Sequence, residues 1–107
     1  MAEDMIKGWL NKYRLELNLG TRFENAFLKL SEWDRENIDT KYNSYPAGMA
    51  YVACLMSGEE RTQEQISKIP DLTCSTVSLQ KRYRQIKARN NRKIIDFIDG
   101  PLLVAHM

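Results

Sequence analysis

The chain has 107 residues, 43% of them hydrophobic and 28% charged, with a formal net charge of +2. That is enough chain for one hydrophobic core but not two, and the composition excludes wholesale disorder. The longest apolar run, Ala47 to Met56, is ten residues, about half of the ~20 needed to cross a bilayer. The acidic start Met1-Ala2-Glu3-Asp4 has no signal-peptide apolar region behind it, so an intracellular protein without membrane association is expected.

Residues 3 to 19 carry Ile6, Trp9, Leu10, Tyr13 and Leu17 at helical spacing, predicting an amphipathic helix that ends at Gly20. Thr21 with Glu24 three residues on reads as a capping box opening a second helix, striped by Phe23, Ala26, Phe27, Leu30 and Trp33. Residues 34 to 45, with Asp34, Glu36 and Asp39, read as a polar loop.

Ser44 and Pro46 mark the start of a third helix and Gly58 its end. That helix is apolar on every side, which predicts burial all round, and Ala47, Gly48, Ala50 and Ala53 let neighbouring helices approach closely. Thr62 to Gln65 is a further capping box, opening a short helix with Ile66 and Ile69 inward, stopped by Pro70 and Asp71.

Ser75 or Thr76 can cap a fifth helix whose core stripe is Leu79, Tyr83 and Ile86. A sixth helical segment, with Ile94, Ile95, Phe97 and Ile98, is expected to run to Gly100-Pro101, followed by the apolar tail Leu102 to Met107. No segment has a strand pattern, so the fold class is all-α.

Cysteine and histidine usage removes several chemistries. Cys54 and Cys74 form no CxxC pair, and the one histidine is His106, so neither a disulfide framework nor a four-ligand zinc site is expected. Cys54 reads as a small core residue and Cys74 as a turn residue or helix-cap neighbour. No nucleophile–base pair, metal cluster or phosphate-cradling glycine loop is present, and no cofactor or enzymatic activity is expected. Asp96 and Asp99 share a helical face, but between Ile and Phe they read as solvated edges of an amphipathic helix.

Charge is unevenly divided. Residues 72 to 95 hold seven basic residues (Lys81, Arg82, Arg84, Lys87, Arg89, Arg92 and Lys93) and no acid, whereas residues 1 to 71 sum to −3. A cationic helix on an acidic body suits a polyanion; the plainer reading is a solvated basic face.

The segment Pro46-Ala47-Gly48, followed by Tyr51 through Gly58-Glu59-Glu60-Arg61-Thr62-Gln63, resembles the cyclin-like repeat of archaeal transcription factor B and eukaryotic transcription factor IIB. Tyr83-Arg84 and Ile86 fit the end of the same repeat, and the wording is closer to the archaeal proteins. The resemblance implies a cyclin-like five-helix domain with a central buried helix. Residues 1–107 would form that one domain, with a helix-turn-helix over about 62–89 and an extra C-terminal helix in an extension over about 90–107. Its last helix would read promoter DNA through the major groove, next to a TATA-binding protein partner.

Aligned backward from Tyr83, the family's apolar base-contact position falls on Val77 and its arginine position on Gln80. Aligned forward from Thr62-Gln63, these fall on Ser75 and Ser78. The backward register keeps Leu79 and Tyr83 on the core face and is preferred. Base-edge contacts are then expected from Thr76, Val77, Gln80 and Lys81, and phosphate contacts from Arg82, Arg84, Lys87, Arg89 and Lys93.

Three departures stand beside the likeness. The family's arginine is absent in either register, helix three is about one turn shorter, and one repeat stands where the family has two behind a zinc ribbon. A fragment, a viral or mobile-element derivative or a reduced paralogue is expected, not a complete initiation factor. Its place would be the cytoplasm or nucleoid in an archaeal or viral setting and the nucleus in a eukaryotic one. A lone repeat with an apolar end, Leu102 to Val104, further suggests a two-fold homodimer. The competing function is a protein-interaction adaptor with a cyclin-like fold and no DNA binding.

Overall fold

The computed structural model describes the backbone of residues 2–105 and the side chains of residues 3–99; His106 and Met107, and the side chains of the apolar end Leu102 to Val104, lie outside them. Among the described residues the chain is helical without strands. In order it forms α1 (Ala2–Leu17), α2 (Thr21–Trp33), a 3-10 turn (Arg35–Asn37), α3 (Ser44–Ser57), α4 (Gln63–Ser67) and α5 (Thr76–Ala105).

α3 is the centre. Of its fourteen residues only Tyr51 and Leu55 escape burial, and it packs against all four other helices, most extensively α5 and then α2. Small side chains make this possible. A Cβ on Gly48 would lie 2.8 Å from the Tyr83 backbone nitrogen and 2.9 Å from the Arg82 Cβ, so α3 and α5 touch nearly backbone to backbone there. Gly58 closes α3 in the left-handed region at φ 77°. Phe23, Ala26, Phe27 and Leu30 of α2 and Ile6, Trp9, Leu10 and Tyr13 of α1 fill the space around it.

Helix ends are where the sequence reading needs correction. α1 stops at Leu17, not near Gly20, because Asn18 takes the left-handed conformation (φ 52°). The Leu19 amide then reaches back to the Arg14 carbonyl at 2.9 Å, and the Leu19 side chain is buried. The expected Thr21–Glu24 capping box does not form. Thr21 is already helical, the N-cap is Gly20, and no side chain of the α2 start serves it. Glu59 does so from the far side of the chain, its carboxylate accepting from the Gly20 and Phe23 amides at 2.9 Å each. The box at Thr62 and Gln65 forms as expected.

The fifth and sixth helical segments are both present and meet end to end without a loop, so α5 is two helices joined at a kink. α5 bends at Asn90 (φ −116°, ψ 16°) and its backbone continues through Gly100 and Pro101 to Ala105. Proline's fixed φ is compatible with helical geometry; its cost inside a helix is one lost donor and the crowding of its ring against the carbonyl four residues back. Past the bend, Ile94 is buried and Phe97 meets the edge of Trp33 at 6.2 Å, which holds the second half of α5 against α2. Among the described residues no helix is long and apolar enough to cross a membrane.

Candidate nucleic-acid interface

α5 starts at a side-chain cap. The Ser75 hydroxyl oxygen accepts from the Ser78 amide at 3.1 Å, and its carbonyl accepts the first helical bond from Leu79. The Asn43 side-chain amide donates to the Thr73 carbonyl (3.2 Å), and the Cys74 amide to the Ser67 carbonyl (3.0 Å), which ties the turn before α5 to the start of α3 and the end of α4.

From this anchored start α5 turns Leu79, Ile86 and Asn90 inward. Tyr83 is only half-buried, its ring edge-on to Tyr51 at 4.9 Å. Opposite that stripe, Val77, Lys81, Arg84 and Ala88 follow one another at helical spacing, all exposed, with Val77 at 75%. Gln80, partly exposed, and Lys87, exposed, sit on one flank, and Thr76 is exposed in the first turn. Ser75 and Ser78, the positions picked out by the forward register, are joined in the cap itself.

The other flank is different in kind. Arg82 is ion-paired to Asp39 of the α2–α3 loop, with about a quarter of each side chain exposed. Arg89 donates from Nε and Nη2 to both oxygens of Asp34, 2.9 Å each, and the Asp34 side chain is only 1% exposed. The Asn90 amide at the bend donates to the same carboxylate at 3.1 Å and to the Ile86 carbonyl at 2.9 Å, while the Tyr45 hydroxyl donates to Asp34 from α3.

Burial pushes the Asp34 carboxyl upward, but the hydrogen bonds from Arg89, Tyr45 and Asn90 and the guanidinium charge outweigh it and hold it below the usual range. The same network raises Arg89 further, chiefly through its bonds to Asp34. Of the expected phosphate contacts, then, Arg82 and Arg89 have acidic partners within the protein. Among the described residues Lys81, Arg84, Lys87, Arg92 and Lys93 have none within ion-pair distance.

The local sequence of Asp34 marks only a polar loop and carries no sign of its role; its partners lie 11, 55 and 56 positions away. Glu59 and Arg61 did carry a sign, since both sit in the string that bears the family resemblance. Arg61 donates to the Leu17 carbonyl at 3.1 and 3.0 Å and to the Asn18 carbonyl at 3.3 Å, capping the end of α1 while Glu59 caps the start of α2. The string Gly58 to Gln63 is therefore a staple between two turns, and among the described residues none of its hydrogen bonds is made to α5.

Cys54 is buried, and burial pushes its thiol up to about 12, in keeping with a core residue. Among the described residues no group of three or more His, Cys, Asp or Glu is placed to hold a metal.

No protein-family model matches the chain, and no solved structure matches it. Among curated proteins it is similar to a transcription initiation factor IIB 1 of Thermoplasma volcanium, 33% identical over 89 residues, covering 79% of this chain and 26% of that protein. It is also similar to a transcription initiation factor IIB 1 of Thermococcus kodakarensis, 29% identical over 90 residues, covering 80% of this chain and 29% of that protein. The chain thus spans less than a third of the length of these relatives, and the likeness supports a cyclin-like repeat of their kind.

Proposed function

We propose that this chain, a cyclin-like repeat of the transcription factor IIB type, is a transcription protein that binds promoter DNA, with α4 and α5 as its helix-turn-helix and α5 entering the major groove. The observation that carries the reading is the outward side of α5. Its cations Lys81, Arg84 and Lys87 lack acidic partners among the described residues, as do Arg92 and Lys93 beyond the bend, where Lys93 lies beside Trp33 and Phe97, on a chain whose first 71 residues are net acidic. Unpaired cations aligned on one helix supply the counterion-releasing contacts that dominate duplex affinity.

Base edges would meet Thr76, Val77, Gln80 and Lys81. Glutamine suits adenine and an exposed valine suits a thymine methyl, so the preferred sequence would differ from that of an arginine-bearing relative. Phosphates would meet Arg84, Lys87 and Lys93, with Arg82 at the edge. Arg89 is left out, because its guanidinium is committed to Asp34. A TATA-binding protein partner rests on the family resemblance alone.

Duplex binding measured against salt tests this. Affinity should fall by about 0.9 log units per tenfold rise in salt for each phosphate neutralised. Arg84→Ala with Lys87→Ala should weaken binding to all sequences and flatten the slope. A slope near zero in the unmodified protein would overturn the proposal in favour of an adaptor.

A further inference from the structure

Beside the first two turns of α5, on the flank where Arg82 lies, two depressions of about 380 and 360 Å³ share Tyr42, Ser44 and Ser78 and so form one continuous groove. Lys41 stands at one end and Lys81 and Arg82 at the other, with hydroxyl-bearing side chains between them. Lys41 is held over the Tyr42 ring, 5.4 Å from its centroid, so its ammonium is placed beside the groove by a neighbour. Asp39 is the acid closest in sequence, and its carboxylate is already engaged by Arg82 and by the Lys41 amide at 2.8 Å. The Lys41 ammonium itself has no acidic partner among the described residues.

We infer that this groove is a second contact for the duplex, taking a stretch of sugar-phosphate backbone between the α2–α3 loop and α5. The inference rests on the proposed reading of α5. It adds to that reading a strap, Lys41 and Tyr42, from a different part of the chain.

Charge and shape favour this occupant. Cations and hydroxyls are the groups that meet phosphate oxygens, and contacts of this kind fix the register of a protein on its duplex without reading sequence. The groove is also continuous with the outward face of α5 through Lys81, which belongs to both. A backbone strand lying in the groove would therefore run alongside the helix that enters the neighbouring groove of the duplex.

The test compares Lys41→Ala with Lys7→Ala, an equal change of net charge at an exposed position on α1. Both substitutions leave their backbone amides in place, so the bond from the Lys41 amide to Asp39 survives; equal thermal midpoints confirm intact folding. Duplex affinity is read for each against salt. Lys41→Ala should weaken binding and make the slope shallower by about 0.9, the share of one phosphate, while Lys7→Ala should leave the slope unchanged. If the unmodified protein binds with a steep slope and the two variants behave alike, the groove is overturned and the α5 reading stands. If the unmodified protein shows no salt-dependent binding, both fall together.

Discussion

Arg89 reaches from α5 to Asp34 at the end of α2 and makes two hydrogen bonds of 2.9 Å, one to each carboxylate oxygen. A basic position in the middle of the candidate DNA helix is thus used to fix that helix to the body. Asn90, the next residue, takes the same carboxylate at the point where the helix bends.

Asp34→Ala should destabilise the fold by about 3 kcal/mol, the low end of the cost of breaking a buried ion pair, because a third of the Arg89 side chain is exposed. Since the Asp34 carboxyl is lowered, its stabilisation is complete above the unfolded value of ~3.9 and is lost as pH falls through the lower folded value. Acid unfolding should therefore steepen below about pH 4, and Asp34→Asn should remove that component. Parallel acid profiles for the two proteins, followed by circular dichroism, would refute the assignment.

Gly48→Ala should cost about 1–3 kcal/mol, because the added methyl meets backbone atoms of α5 that cannot turn aside as a side chain would. Ala53→Leu, at a fully buried position of the same helix, should overpack the core by a similar amount. Chemical denaturation reads both. Unchanged midpoints would mean that α3 is not the central packing element.

Glu59→Ala should cost about 1–2 kcal/mol, the worth of a helix cap, and Thr62→Ala about 1 kcal/mol. Neither change should alter the salt slope of DNA binding once measured on folded protein. A binding defect without a stability defect would place the staple in the interface after all.

We expect a homodimer, through the second half of α5. Ile95 and Ile98 are 48% and 45% exposed and three residues apart, an apolar face that its own domain leaves uncovered. Sedimentation equilibrium at micromolar concentration should give the dimer mass, and Ile95→Lys should give the monomer. A clean monomer before substitution would refute it. Truncation after Gly100 then separates this face from the apolar end Leu102 to Val104.

What was legible in the sequence was whatever a single helix decides for itself. The stripe of α2, the all-round burial of α3 and the Thr62–Gln65 box each follow from spacing within a few residues. What escaped was settled between distant segments. Thr21 and Glu24 make a sound capping box on paper, yet the helix is capped one residue earlier, where Glu59 accepts from the Phe23 and Gly20 amides 36 and 39 positions away, and Glu24 faces Arg14 at 3.4 Å instead. Asp34 looked like any loop acid because its partners come from α3 and α5. On α5 the seven cations look equivalent in sequence; only the packing of the α2–α3 loop singles out Arg82 and Arg89.

The staple from Glu59 and Arg61 has a bearing on inheritance. Substitutions on the outward side of α5 touch none of the bonds that hold the ends of α1 and α2. Under the proposed function, the scaffold and the reading helix would drift at separate rates, and exchanging Thr76, Val77, Gln80 and Lys81 would change the target sequence while the staple stays as it is. Grafting those four positions from a relative is the route by which this chain could be re-addressed.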